Sequence, residues 1–343
     1  MNGAARIFSS LIFCVCATVA ANAQWAKQNV NTTSGLRGLS VVSAKVVWAS
    51  GTGGTVLRTV DGGASWDVIA VPGGEKLDFR DIEAFDAKTA YILSIGSGES
   101  SRIYKTVDGG ATWKLQFQNK DEKAFYDAIA CWDRDNCIAM SDPVGGHYPI
   151  ISTTDGGTNW KQMVSDKMPT AKDGEAAFAA SGTCLITQGR TNAFLVSGGS
   201  DARVFRSGDR GMSWAVANTP MVKGTAGSGI FSIAMRDGKN GAIVGGNYEK
   251  PDTASKNIAY TTDGGVTWHT PGTAYPNGYR SAVAYLDAKT LLAVGTSGSD
   301  LSTDNGGSWQ KVDSENYNAV QAKGKAVWAV GPNGRVAKWA RQK

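Results

Sequence analysis

TVDGGASW, at Thr59–Trp66, is the first of six copies of one short motif: Thr or Ser, any residue, Asp, any residue, Gly, two further residues and Trp. Asp and Gly suit a tight turn between strands, because Asp accepts hydrogen bonds from turn amides and Gly adopts positive φ. The other copies are TVDGGATW at Thr106–Trp113, TTDGGTNW at Thr153–Trp160, SGDRGMSW at Ser207–Trp214, TTDGGVTW at Thr261–Trp268 and STDNGGSW at Ser302–Trp309. The Asp residues are spaced 47, 47, 54, 54 and 41 residues apart, close to the roughly 40–50 residues of a four-stranded propeller blade.

A second repeat predicts the two inner strands, A and B, of seven blades. Each copy begins with an apolar, strand-like segment, followed by a turn and another apolar run. The third strand, C, then leads into the motif, and the fourth, D, follows it. The seven segments are LRGLSVV from Leu36, FRDIEAF from Phe79, FYDAIAC from Phe125, EAAFAAS from Glu175, IFSIAM from Ile230, YRSAVAY from Tyr279 and YNAVQA from Tyr317.

Seven inner hairpins and six motifs leave one outer strand missing. The last blade ends at GPNGRVAKW with no fourth strand after it, whereas QWAKQNV from Gln24 is a strand with no blade before it. We therefore expect the N-terminal strand to complete the last blade, which closes the ring and removes its exposed sheet edge.

The motif resembles the Asp-box, the signature of BNR and sialidase-type propellers. The resemblance implies an all-β fold, a seven-bladed β-propeller of four-stranded blades. The boxes would lie on C–D turns, away from the face that propellers usually use for function, so their Asp and Trp residues are expected to be structural. These residues are Asp61, Trp66, Asp108, Trp113, Asp155, Trp160, Asp209, Trp214, Asp263, Trp268, Asp304 and Trp309.

The first 23 residues are typical of a secretory signal peptide. Arg6 precedes an apolar stretch, and Ala21-Asn22-Ala23 fits the small-x-small cleavage pattern. We expect residues 24–343 to form one propeller that is exported to the periplasm or secreted. The alternative is a lipoprotein acylated at Cys14 or Cys16, although Phe13 and Val15 precede these cysteines where small residues are expected. No later segment is apolar enough to cross a membrane as a helix.

Charge and cysteine content narrow the possible partners. The net charge is +5, without a run of five basic residues, so no nucleic-acid partner is expected. Cys131 and Cys137 flank a turn-like stretch, where they could form a disulfide across a hairpin in an oxidising compartment; two buried thiols are the alternative. Cys184 is left unpaired.

A candidate binding site lies where the inner strands begin, because these strands line the central channel. Arg37, Arg80 and Arg280 are predicted to occupy equivalent positions and to converge in one pocket, where guanidinium groups would suit carboxylates, phosphates or an acidic protein surface. Alternatively, they are salt-bridged to neighbouring acids and only hold the channel closed. The other candidates are Asp81, Tyr126, Asp127, Glu175 and Tyr279, with Asp142 and Arg190 on or near B–C loops as weaker ones.

Few other residues of the sequence indicate a metal site or a cofactor site. The only histidines, His147 and His269, have no Cys or His neighbour at metal-ligand spacing, and no nucleotide-binding glycine motif opens a helix. We therefore expect no metal and no cofactor.

Two families suggest functions. The whole mature chain resembles the photosystem II stability/assembly factor family and its non-photosynthetic relatives, in export, seven blades, TTDGGxTW boxes and the terminal strand. This resemblance implies a non-enzymatic assembly factor that binds a protein or an acidic glycan with arginines at the channel mouth. We expect a monomer. The alternative is a sialidase-like glycoside hydrolase or lyase acting on acidic sugars. Sialidases need an arginine triad, a Tyr–Glu pair and an acid Asp, and they carry an Arg-Ile-Pro motif that is missing here.

Overall fold

Seven small antiparallel sheets are arranged as the blades of a propeller in the computed structural model, which describes residues 24–164, 167–272 and 274–340. The predicted signal peptide lies outside these residues. In the described part of the chain, no helix is long and apolar enough to span a membrane. Apart from a short 3-10 helix at Gly98–Ser100, the regular structure within residues 24–340 that the structure describes consists of strands, which confirms the predicted all-β propeller.

The strands of the first three blades run outwards from the channel in chain order. Blade 1 contains β2 (Leu36–Val41), β3 (Val47–Gly51), β4 (Thr55–Thr59) and β5 (Asp67–Ala70); blade 2 contains β6 (Phe79–Ala84), β7 (Ala90–Ser94), β8 (Arg102–Thr106) and β9 (Lys114–Gln118); blade 3 contains β10 (Tyr126–Cys131), β11 (Cys137–Ser141), β12 (Ile150–Thr153) and β13 (Lys161–Gln162).

The remaining blades follow the same plan with local changes. Blade 4 contains β15 (Leu185–Gln188), β16 (Asn192–Val196), β18 (Arg203–Ser207) and β19 (Ala215–Asn218); blade 5 contains β20 (Ser228–Met235), β21 (Gly241–Asn247) and β22 (Ile258–Thr261), joined by short β14 (Glu175–Ala176) and β17 (Gly198–Gly199); blade 6 contains β23 (Ala282–Tyr285), β24 (Leu291–Gly295), β25 (Gly298–Ser302) and β26 (Gln310–Asp313); blade 7 contains β27 (Ala319–Lys323), β28 (Ala326–Val330), β29 (Val336–Ala340) and β1 (Gln24–Lys27). In blade 5 the fourth strand is reduced to a bridge between Tyr260 and His269.

The ring closes as predicted, because β1 pairs antiparallel with β29 from Gln24 opposite Ala340 to Lys27 opposite Ala337. Trp25 fixes this strand from the side. Its ring lies 5.0 Å from Tyr317 and 4.9 Å from Trp339 between centroids, and its Nε1 donates to Ser299 Oγ at 3.1 Å in blade 6. The closing strand therefore packs within its own blade and also contacts the preceding one.

Each Asp-box carboxylate accepts hydrogen bonds from residues of its own turn. In the first box, Asp61 Oδ1 accepts from Thr59 Oγ1 at 2.8 Å and from the Ser65 amide at 3.0 Å, while the Gly63 amide donates to Thr59 Oγ1 at 2.9 Å. Gly63 has φ 94°, which favours glycine. The hydrogen bond from Thr112 and those from the turn lower the pKa of Asp108 to about 2 in the second box. These contacts support the structural reading of the boxes.

Blade 4 departs from the predicted pattern. EAAFAAS from Glu175 was predicted as one inner strand, but only Glu175 and Ala176 pair, with Gly199 and Gly198. The inner strand resumes where the Val196 amide donates to the Cys184 carbonyl at 2.9 Å. Residues 177–183, called the inserted segment below, leave the blade at this point. Their small and apolar side chains do not distinguish a strand from a tightly packed loop, so the sequence did not indicate this departure.

Cys131 and Cys137 lie opposite each other on β10 and β11 and form a disulfide, with their Cα atoms 4.0 Å apart. Cys184 is a free, buried thiol. The disulfide closes the turn of blade 3 in which Trp132 Nε1 donates to the Asn192 carbonyl of blade 4 at 2.9 Å. It therefore supports a contact between two neighbouring blades.

Candidate functional site

β-Bulges at the start of the inner strands aim side chains into the channel mouth. The pairing of β2 with β3 shifts between Leu36 and Gly38, which leaves Arg37 as the extra residue. The same shift leaves Arg80 in blade 2, Asp127 in blade 3 and Phe231 in blade 5. A bulge redirects the side chain of its extra residue, so equivalent positions of different blades point towards one another here.

The inserted segment crosses the mouth and holds the two arginines in place. Arg37 Nη1 donates to the Ala180 carbonyl at 3.0 Å, and Arg80 Nη1 donates to the adjacent Ala179 carbonyl at 3.2 Å. At the start of the segment, the Ala177 amide donates to Asp142 Oδ1 at 2.7 Å. Backbone atoms of the inserted segment thus position guanidinium groups from blades 1 and 2.

A cavity of about 540 Å³ lies at this mouth, within the usual range for small-ligand sites. Its lining combines the two arginines with two carboxyl groups and several aromatic rings. The lining residues are Arg37, Arg80, Phe125, Asp127, Asp142, Ala176, Ala177, Phe178, Ala179, Ala180, Phe231, Tyr248, Tyr279, Thr296 and Asn318.

The two arginines differ in how well they are neutralised. Arg80 Nε pairs with Asp78 Oδ2 at 2.7 Å, whereas no carboxylate of the described residues forms a salt bridge with Arg37. Burial lowers the pKa of Arg37, and the charge of Arg80 lowers it further. An arginine cannot lose its proton in a protein, so this site favours an added anion.

Asp127 and Asp142 supply the carboxyl groups of the cavity. Burial, followed by the charge of Asp142, raises the pKa of Asp127 well above its usual range, and burial raises that of Asp142 to about 6. Within the described residues, Asp127 Oδ2 has no hydrogen-bond partner. Of the two carboxyl groups, Asp127 is therefore the one that retains its proton more strongly, and Asp142 is the one that ionises more readily.

The structure brings Arg37, Arg80, Asp127 and Tyr279 into the cavity as predicted, together with Asp142. It does not bring Arg280 there, so the predicted convergence of three arginines is wrong. Arg280 is fully buried and forms an ion pair with fully buried Asp300. The reason is a one-residue offset between blades 1 and 6. In blade 1 the Cα of Leu36 lies beside Gly51, and in blade 6 the Cα of Arg280 lies beside Gly295. Arg280 is therefore equivalent to Leu36, and Ser281 is equivalent to Arg37.

Three other predicted residues lie outside the cavity lining, and a weaker candidate lies on the other face. Asp81 is buried and accepts the Ile82 and Ile129 amides, each at 2.8 Å. The Tyr126 ring packs 5.3 Å from Phe117. Glu175 accepts from Arg203 Nε at 2.9 Å and binds Ser197, while Arg190 lies in the A–B turn between β15 and β16.

Sequence reasoning missed the aromatic residues of the cavity, above all Phe178, Phe231 and Tyr248. A signal was available for Phe231, which follows Ile230 as Arg37 follows Leu36 and so occupies the same bulge position. No comparable signal marked Phe178, because the inserted segment reads as a strand. For metals, the described residues contain no group of three or more His, Cys, Asp or Glu side chains that could hold an ion.

The fold and this mouth define an Asp-box β-propeller with a polar and aromatic cavity at one end of its channel. The family model described as photosynthesis system II assembly factor YCF48 matches residues 17–196. This match covers more than half of the chain, so the protein belongs to the YCF48 family. A second model, for the BNR/Asp-box repeat, matches residues 259–270.

Solved structures show the same fold at low sequence identity. YCF48 bound to D1 peptide is 17% identical with a TM-score of 0.67, covering 93% of this chain and 97% of that one. YCF48 from Cyanidioschyzon merolae is 16% identical with a TM-score of 0.68, covering 92% and 98%. Virginiamycin B lyase from Staphylococcus aureus is 13% identical with a TM-score of 0.67, covering 93% and 100%. No curated protein matches the sequence.

Proposed function

We propose that this protein is a non-enzymatic propeller that binds a partner protein, and that its channel mouth takes a carboxylate-bearing segment of that partner. One observation carries the proposal: guanidinium groups of Arg37 and Arg80 meet in one cavity with donors to spare. Each Nη1 donates to a carbonyl of the inserted segment, and Arg80 Nε donates to Asp78. The Nε and Nη2 groups of Arg37 have no acceptor within the described residues, and they match the geometry of a carboxylate.

Family membership supports a protein partner. One solved YCF48 structure is bound to a D1 peptide, so a propeller of this family binds a peptide. The sialidase-like alternative receives less support, because Arg280 is buried with Asp300 and Glu175 is paired with Arg203, which leaves neither an arginine triad nor the Tyr279–Glu175 pair in the cavity. We also propose export, which the disulfide between Cys131 and Cys137 supports.

The double substitution R37Q/R80Q is expected to weaken binding of acidic peptides at least tenfold, because hydrogen bonds to charged groups contribute about 1.5–3 kcal/mol each. The measurement is fluorescence anisotropy with a pool of random nonapeptides that carry a free terminal carboxylate. The matched control, R134Q/R236Q, makes the same charge change on A–B turns at the opposite face. Equal loss in both variants, or no binding by the unaltered protein, would contradict the proposal.

Binding of the same peptides is expected to tighten several-fold between pH 7.5 and pH 5.5. Asp142, with a pKa of about 6, is ionised at the higher pH and repels a carboxylate ligand, whereas it is neutral at the lower pH. Peptide carboxylates remain mostly ionised there, since their ordinary pKa values are about 4. D142N should bind more tightly at pH 7.5 and lose most of this pH dependence; an unchanged pH profile in D142N would show that another group is responsible.

A further inference from the structure

An aromatic cluster forms a second wall of the cavity, beside the arginines. The Phe178 ring stacks on Phe231 with centroids 3.9 Å apart and an interplanar angle of 1°. Tyr279 meets Phe231 edge-on at 4.7 Å, and Tyr248 does so at 6.2 Å. All four rings line the cavity, so one wall of this site is an apolar surface that the guanidinium groups do not explain.

A glycine and a β-bulge position two of these rings. A Cβ at Gly198 would lie 2.2 Å from the Phe178 ring, so only glycine leaves room for this ring against the backbone of β17 in blade 5. Phe231 occupies the bulge position that holds Arg37 and Arg80 in blades 1 and 2. The apolar wall and the cationic wall thus come from the same structural position in different blades.

The inserted segment joins both walls. Phe178 is the residue just before Ala179 and Ala180, whose carbonyls accept from Arg80 and Arg37. An aromatic surface that lines the same cavity as a guanidinium pair suits a ligand that is apolar and anionic at adjacent points. Tyr248 remains 49% exposed at the rim, where a bound apolar side chain would cover it.

We infer that the ligand of the mouth is a peptide segment in which a carboxylate lies next to an aromatic or large aliphatic side chain. The carboxylate binds Arg37 and Arg80, and the apolar side chain packs on Phe178, Phe231 and Tyr248. This inference rests on the proposed function and narrows it, because acidic segments with only small or polar neighbours are rejected. The carboxylate belongs either to a chain end or to an Asp or Glu side chain.

The test uses four synthetic nonapeptides on a Gly-Ser background, measured by fluorescence anisotropy. One ends in Phe with a free carboxylate, the second ends in Phe as an amide, the third ends in Gly with a free carboxylate, and the fourth carries an internal Glu-Phe pair with an amidated end. The variants are F178L and Y248A, and R37Q/R80Q. The control L115A removes a side chain that is 42% exposed on the outer strand of blade 2, outside the cavity lining.

We expect the peptide that ends in Phe with a free carboxylate (the Phe acid), or the internal Glu-Phe peptide, to bind at least tenfold more tightly than the peptide that ends in Gly with a free carboxylate (the Gly acid). Tight binding of the Phe acid assigns the carboxylate to a chain end, and tight binding of the Glu-Phe peptide assigns it to a side chain. Y248A and F178L should lower that preference at least threefold, while L115A leaves it unchanged. Equal binding of the Phe and Gly acids, lost in R37Q/R80Q, would overturn this inference and leave the proposed function standing. Binding that R37Q/R80Q does not weaken would overturn both. Y248A keeps the test valid if F178L fails to fold, because Tyr248 lies at the rim.

Discussion

Replacing Arg280 with leucine is expected to lower the free energy of unfolding by about 3–5 kcal/mol, the usual effect of removing one partner of a buried ion pair. Arg280 and Asp300 have fully buried side chains. Arg280 also donates to the Tyr279 carbonyl at 2.7 Å and to the Asn277 carbonyl at 3.1 Å. The substitution therefore leaves an unpaired carboxylate and bare carbonyls in blade 6. Urea unfolding measures the loss.

Two further variants separate this explanation from a role in ligand binding. R236L removes a partly exposed arginine whose ion pair with Asp237 lies at the surface, so its effect should stay within about 1 kcal/mol. R280L/D300L should recover much of the lost stability, because no buried charge then remains unpaired. If R280L instead left stability unchanged and abolished peptide binding, Arg280 would belong to the mouth after all.

Removing the indole of the closing strand, in W25A, is expected to cost about 3–5 kcal/mol, as for other buried tryptophans. Trp25 is 7% exposed and contacts Tyr317, Trp339 and Ser299. Because β29 is the only strand of the described residues that pairs with β1, the loss should also release that edge of blade 7. Urea unfolding gives the total effect, and hydrogen exchange of the β29 amides locates it.

Lys27 on the same strand provides the matched control. Its side chain is 60% exposed and pairs with Glu315 at 2.9 Å, so K27A should change stability by less than about 1 kcal/mol. Fast exchange confined to β29 and β1 in W25A is the expected pattern. Uniformly faster exchange in all blades, or protection of β29 as in the unaltered protein, would show that Trp25 does not act at the closure.

The fold could be predicted because its signals are local and repeated. An Asp-box needs only the contacts within its own turn, such as those between Thr59, Asp61 and Gly63, so the short motif is enough to place it. The closing strand followed from counting strands and motifs. The inserted segment could not be recognised from the sequence. The break between β14 and β15 depends on their partner strands, β17 and β16, and not on the composition of the segment itself.

The site was harder to predict because it depends on single-residue register. Arg37 and Arg80 were placed correctly because both follow the first residue of an inner strand and fall on the bulge. The same reasoning failed for Arg280, where an alignment of YRSAV with LRGLS is wrong by one residue. A shift of one residue moves a side chain from the channel into the blade, and the partner that stabilises it there, Asp300, lies on another strand.

The pairing of β1 with β29 also sets the order in which the chain can fold. Strand β1 cannot pair until β29 has been synthesised, because Gln24 pairs with Ala340 at the opposite end of the described chain. Blades 1 to 6 consist mostly of contacts between strands that are near in sequence, and these form quickly. Blade 7 must bring together ends that are more than three hundred residues apart, which carries the largest loop-closure entropy of any contact in the ring. We therefore expect a partly synthesised chain to form an open arc with a free sheet edge, which closes when β29 pairs with β1.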